Sequence, residues 1–211
     1  MKDYIQKLLS ISSPPILTSP LASEFSLLSH LKQHGKELFK LLSKKNGFYA
    51  FESALHVFPL GKKEGAMHLE MWNSESLWRG DYQGLADGCF FFAEDIFGVQ
   101  FCFKDDRLCT FDPETGETKE FAHDLQGWTH IILGDYELHT GFPFARDWQQ
   151  KNGPLPEGRR LVPKIPFVCK GEFALDNFYD LDSVRAMKLR ASLAIQIKHL
   201  PDGTKVTYRV I

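Results

Sequence analysis

At 211 residues, 43% hydrophobic and 25% charged, the chain has the composition of an ordinary globular protein. It is long enough to build a core without a metal or a disulfide, and one domain is expected, with two small ones as the alternative. A formal net charge of −2 argues against direct nucleic-acid binding. No run approaches the roughly 20 apolar residues that a membrane span needs. The N-terminus lacks the apolar core of a signal peptide, and the four cysteines show neither CxxC spacing nor paired histidines. A cytoplasmic protein with reduced thiols, without metal or cofactor, is the expectation.

In chain order, a short amphipathic start runs into an irregular lead-in marked by Ser12-Ser13-Pro14-Pro15 and Ser19-Pro20. From Ala22 to Lys45 the residues Phe25, Leu28, Leu31, Leu38, Phe39 and Leu42 recur at helical spacing, with Gly35 weakening or splitting the helix and Asn46-Gly47 ending it. His30 and His34, at i and i+4, have metal-ligand spacing without a third ligand, so a solvated helix face is the plainer reading. Phe48, Phe51, Leu55 and Phe58 predict a second helical stretch closed by Pro59. Gly61 to Gly65 is a polar loop. Trp72 and Trp78 follow, either plugging the edge of the core or anchoring a partner, since Trp, Tyr and Arg are favoured hot-spot residues.

Gly84 to Phe121 reads as a β-meander of short Phe-rich runs separated by Gly, Asp and Pro. Cys89–Ala93 and Phe97–Phe103 are its first strands. In the second, Phe97, Val99, Phe101 and Phe103 alternate with Gly98, Gln100 and Cys102, which predicts one core face and one only partly covered. The polar Lys104–Arg107 connection, as a two-residue turn on Asp105-Asp106 or a four-residue loop, sets Cys102 opposite Cys109. These two thiols either pack against their neighbours or, if exposed, form a redox pair. In Asp112-Pro113-Glu114-Thr115-Gly116, Pro113 presets a turn and Gly116 takes the left-handed conformation, returning the chain along Glu117–Phe121. Glu94 and Asp95 are adjacent, so on a strand they face opposite sides and do not make a catalytic carboxylate pair. Between Asp81 and Asp124 eleven carboxylates stand against three cations, either an acidic surface for a basic partner or a solvated face.

Leu125 to Leu138 predicts a helix with Trp128, Ile131, Ile132 and Tyr136 inward, continued by a shorter piece over Phe144–Gln150. Loops at Lys151–Pro154 and Pro156–Gly158 precede an extended Leu161–Val168, which Pro163 and Pro166 confine to a sheet edge. Asp182 is placed to cap a long helix with Ala186, Leu189, Leu193, Ile197 and Leu200 in one stripe. Pro201-Asp202-Gly203 then turns the chain into a last strand through Val206, Tyr208 and Val210.

No GxSxG, GxxxxGK[ST], HExxH or GxGxxG motif is present, which removes the commonest hydrolase, nucleotide and metalloprotease signatures. Three stretches carry a resemblance: GFYAFESALHVFP (Gly47–Pro59), the Trp segment running into DGCFFFAEDIFGVQFCF, and CTFDPETGE (Cys109–Glu117). With the tail RLVPKIPFVCKGEFALDNFYDLDSVRAMKLRASLAIQIKHLPDGTKV, they resemble the SUKH superfamily from about Phe39 onward. That superfamily includes bacterial immunity proteins and the yeast cell-wall-assembly regulator.

The resemblance implies one α+β domain over 1–211, with 1–24 as lead-in and a twisted antiparallel sheet flanked by N- and C-terminal helices. It brings no catalytic residues. It implies a non-enzymatic protein-binding role: an immunity protein that neutralises a cognate bacterial toxin, for instance a nuclease, or alternatively a regulatory scaffold module. A basic toxin would be drawn to the acidic segment and taken on one face of the sheet. The contact candidates are then Trp78, Tyr82, Glu94, Asp95, Asp105 and Asp106.

Overall fold

A computed structural model describes residues 3–62, 64–201, 203, 204 and 206. The architecture is α+β: a six-stranded antiparallel sheet in simple sequential order, a separate two-stranded ribbon, and helices on both sides of the sheet. No described helix is long and apolar enough to cross a membrane.

The lead-in is more ordered than its prolines suggest. Helix α1 (Tyr4–Ile11) is capped by the Asp3 carboxylate, which accepts from the Gln6 amide, and it buries Leu8 and Leu9. A 3-10 helix, Ala22–Leu31, is followed by α2 (Lys32–Lys44), the break falling at Lys32 with φ 53°. Gly35 is buried for a different reason than splitting the helix. A Cβ there would lie 2.1 Å from the Leu28 carbonyl oxygen, so its lack of a side chain lets the two helical segments touch.

The second helix expected around Phe48–Phe58 is instead a hairpin. Strands β1 (Phe48–Ala50) and β2 (Leu55–Val57) pair antiparallel, with Tyr49 opposite His56. Phe48, Ala50, Leu55 and Val57 are buried on one face. Phe51, Glu52 and Ser53 turn the chain with three successive positive φ values. Buried Asn46 locks the entry and exit of this hairpin together: its side chain donates to Thr18 O and Leu60 O and accepts from the Leu60 amide. A spacing of 48, 51, 55 and 58 fits a helix as well as a bent ribbon, and tertiary contacts chose the ribbon.

The meander supplies β3 (Phe90–Asp95), β4 (Gln100–Lys104), β5 (Arg107–Phe111) and β6 (Thr118–Ala122). The predicted register holds: Cys102 lies opposite Cys109 across a two-residue turn in which Asp105 and Asp106 both have positive φ. Cys89, Cys102 and Cys109 are free thiols buried in the sheet, the packing alternative. Gly116 takes φ 71° as expected.

The expectation of a half-open sheet fails. One face is covered by α2 and by α4 (Leu125–Gly134), where Trp128 meets Phe92 and Phe101 edge-on. His34 is not on a solvated face either; its ring stacks on Phe103. The other face is sealed by the long β2–β3 connection, which carries α3 (Leu69–Trp72). Trp72, Trp78 and Tyr82 from that connection form a continuous aromatic cluster with Phe58, Phe91 and Phe111. Each of these side chains contributes roughly 1.5–3 kcal/mol by leaving water.

The predicted helix after the meander divides at Asp135, which caps α5 (Tyr136–Thr140); α6 (Phe142–Asn152) follows. Strands β7 (Arg159–Pro163) and β8 (Phe178–Asp182) make the ribbon, and Asp182 caps α7 (Ser183–Ile197) by accepting from the Arg185 amide. The buried face of α7 is Ala186, Met187, Arg190, Ala191, Leu193 and Ala194, so the expected stripe is rotated and Leu200 is exposed. The predicted closing strand, Val206 apart, lies outside the described residues.

Candidate functional site

Strand register alone builds a polar row across the aromatic-covered face of the sheet. Tyr49 on β1 faces His56 on β2, His56 faces Glu94 on β3, and Glu94 faces Gln100 on β4. Side chains directly opposite on one face sit about 4.5–5.5 Å apart, so four strands deliver four polar groups to one line. The ribbon and α7 close over it with Arg160 from β7 and Ser183 at the start of α7.

Glu94 is the hub. Its Oε1 accepts from His56 Nδ1 at 3.1 Å and lies 2.9 Å from Arg160 Nε, while its Oε2 accepts from Gln100 Nε2 at 3.2 Å. Gln100 Oε1 in turn accepts from the Trp72 indole at 2.9 Å. Ser183 Oγ donates to Gly158 O and stands 3.5 Å from Glu94 Oε1. The Arg160 guanidinium lies over the Tyr49 ring, and its Nη2 has no hydrogen-bond partner among the described residues. The Glu94 and Arg160 side chains are each only 1% exposed, so removing either strands the other's charge in a medium that penalises it heavily.

Protonation states follow from this geometry. Burial by itself would push the Glu94 carboxyl up, but the Arg160 charge and the hydrogen bonds from His56 and Gln100 outweigh it and hold the pKa below the usual carboxylate value. Burial pushes His56 down despite the hydrogen bond to Glu94, so the imidazole is neutral. A neutral ring that donates from Nδ1 to Glu94 carries its lone pair on Nε2. That ring is held between Tyr49, stacked at 4.4 Å, and Phe58, edge-on at 4.4 Å.

His56 and Glu94 form part of the floor of a 640 Å³ cleft. Its walls come from Ser13–Ile16, from residues 64–67 and from the start of α7, and Glu64, Glu157 and Asp182 bring carboxylates to it. The orientation of His56 by a carboxylate is what a general base needs. However, no hydroxyl or thiol among the described residues is hydrogen-bonded to Nε2, so the nucleophile half of a hydrolytic pair is missing. Among the described residues no group of three or more His, Cys, Asp and Glu is placed to hold a metal ion.

The six candidate contact residues separate. Trp78 and Tyr82 are fully buried core side chains, the Tyr82 hydroxyl donating to Pro113 O at 2.8 Å. Glu94 is the hub just described. Asp95 faces away from it, as expected of adjacent strand residues, and is also buried: its Oδ1 accepts from the Phe97 and Val99 amides and shapes the β3–β4 turn. These four are withdrawn as surface contacts: Trp78, Tyr82 and Asp95 are buried, and the Glu94 carboxylate, at the floor of the cleft, is taken up by His56, Gln100 and Arg160. Asp105 and Asp106 are exposed at the β4–β5 turn, with Asp106 beside His34.

A second feature was invisible in the sequence. The loop 164–177 between β7 and β8 turns large apolar side chains outward: Ile165 is 55% exposed, Phe167 41% and Phe173 62%, with Val168 beside them. The loop is braced from within. Asn177 Oδ1 accepts from the Ile165 amide, Asn177 Nδ2 donates to Ile165 O and Glu172 O, and the Gly171 amide donates to Pro166 O. Gly171 has no alternative, since a Cβ there would lie 1.8 Å from Ile165 O. Buried Glu114, from the meander turn, accepts from the Val168 amide at 3.2 Å and ties the loop to the sheet. Phe173 rests on Phe144 and Phe178, with ring centroids 4.6 and 5.9 Å away.

Comparison with known proteins adds to the fold alone. No family model matches the chain, and no curated protein matches it either. Among solved structures it is similar to one described as "Crystal structure of Atu4351 from Agrobacterium tumefaciens", with a TM-score of 0.57 and 12% identity over 87% of this chain and 86% of that one.

Proposed function

We propose that this chain is a non-enzymatic protein-binding domain whose partner docks on the 164–177 loop. The observation that carries this reading is an aromatic and aliphatic group turned toward solvent by a loop braced by its own hydrogen bonds. A folded protein gains nothing by exposing Phe173, Ile165 and Phe167 together, whereas a preorganised aromatic anchor lowers the ordering cost of association. With the sheet face sealed, the reading takes this loop as the docking surface.

Within the SUKH superfamily that the sequence resembles, the role is that of an immunity protein, the partner being a bacterial toxin. Seven of the eleven carboxylates between Asp81 and Asp124 face solvent, which favours a basic toxin by speeding encounter. The regulatory scaffold role uses the same loop on another protein, and a toxin encoded beside this chain distinguishes the first from the second. The decisive experiment is co-purification from the native host with the wild-type chain and with a Phe167→Ser/Phe173→Ser variant. The wild type retains a stoichiometric partner and the variant, still folded, loses it. A partner held equally by both would refute the loop as the docking surface.

A further inference from the structure

The cleft above the polar row has a chemistry that the protein-binding reading does not use. Its floor presents a buried acceptor. His56 is 3% exposed, its Nδ1 is committed to Glu94, and its Nε2 has no hydrogen-bond partner among the described residues. That lone pair is open to the cleft, where an N–H or O–H donor can meet it.

The mouth adds charge of one sign. Glu64 and Glu157 are exposed, make no ion pair among the described residues, and line the same cleft, while no described Lys or Arg lines it. The charge of Glu94 is already balanced by Arg160. The N-terminus of α7 also reaches the cleft and would favour an anion. Two of its leading amides are engaged, however: Ser183 N donates to Gly158 O and Arg185 N to the Asp182 carboxylate. Tyr49, Phe58 and Trp72 also line the cleft; with ring faces already engaged by His56, Arg160 and one another, they give it apolar walls.

We propose that this cleft binds an organic cation carrying N–H donors, a guanidinium or primary ammonium group that donates to His56 Nε2 while Glu64 and Glu157 compensate its charge. The group comes either from a free small amine or guanidine, or from an arginine or lysine side chain of another protein. The site stands apart from the 164–177 loop, so the fate of one proposal does not decide the other.

The test is an NMR titration of the full chain that follows the His56 ring resonances. The probes are n-butylguanidinium, its neutral counterpart n-butylurea, and a capped Gly-Gly-Arg-Gly-Gly peptide. n-Butylguanidinium shifts the ring saturably and n-butylurea leaves it unmoved. Glu157→Gln and Glu64→Gln, both exposed positions with no part in the core, each weaken the cation roughly two- to fivefold, the size of one solvent-facing charge contact. A peptide that binds more tightly than n-butylguanidinium identifies a protein side chain as the source; a peptide that fails to bind identifies a free small molecule. Equal binding of n-butylurea, no saturable shift at millimolar probe, or indifference to both Glu substitutions overturns the proposal. His56→Phe serves as a second check where it folds: isothermal titration of n-butylguanidinium into it should lose the binding heat seen with wild type, and equal binding would overturn the proposal.

Discussion

The two sites invert each other. At the polar row an ionised carboxylate and a guanidinium are sealed among aromatic rings; at the 164–177 loop aromatic and aliphatic side chains stand in water. The β7–loop–β8 hairpin serves both, sending Arg160 inward from one strand and Phe167 and Phe173 outward from the loop. The difference teaches how each is held. The buried charges need every partner, because a medium of low polarity penalises an unpaired ion. The exposed apolar group needs only a stiff backbone, which Asn177 and Gly171 supply.

The comparison breaks most visibly at the hub. Glu94→Gln leaves Arg160 without its counter-charge and is expected to cost about 3–5 kcal/mol in urea denaturation. Arg160→Met added to it should recover much of that loss, and a single variant as stable as wild type would show that the row is not a structural unit. The loop should be the less sensitive of the two. Phe167→Ser/Phe173→Ser is expected to cost about 1–3 kcal/mol, less than the hub, because the two rings are 41% and 62% exposed and lose only partial packing. Gly171→Ala sharpens the contrast: the clash with Ile165 O should distort the loop and abolish partner binding at a cost of about 1–3 kcal/mol, with the core intact.

The pH dependence of stability separates the buried groups. His56 is neutral in the fold with a lowered pKa, whereas the unfolded histidine takes a proton near pH 6.5, so its contribution is lost as pH falls below about 6.5. Asp95 acts in reverse. Burial raises its carboxyl to about 7, above the unfolded value near 3.9, so its contribution is lost as pH rises from about 4 to 7. Asp95→Asn, which keeps an oxygen for the two amides, should remove this opposing slope. Between about pH 4 and 7 the variant should then gain stability relative to wild type as pH rises; a difference independent of pH would mean that Asp95 is not protonated in the fold. The smallest effect is a control outside both regions. Asn-Gly in place of Asp105-Asp106, both at positive φ, should stabilise the hairpin by about 0.5–1 kcal/mol while leaving the row and the loop unchanged.

Much of the scaffold could be read from residue order. The meander, its Cys102–Cys109 register and the Asp182 cap all rest on local chemistry, namely alternation, a polar two-residue turn and a carboxylate at a helix start. The candidate sites could not be read in the same way. Tyr49 and His56 were assigned to a helix, and on a helix they cannot line up with Glu94 and Gln100. Trp78 and Tyr82 have the composition of an interface, and only the cover they provide over Phe91 and Phe111 shows them to be core.

Apolar period and turn residues thus carried the order of the central strands, because those signals act between neighbours a few positions apart, while the α+β class came with the resemblance. Which residues meet across 38 positions, as His56 and Glu94 do, or across 54, as Glu114 and Val168 do, was settled by chain closure. The same closure turned the loop aromatics toward solvent. Burial is a property of the assembled molecule, since any aromatic side chain gains by leaving water and the sequence alone does not say which of them will find room inside.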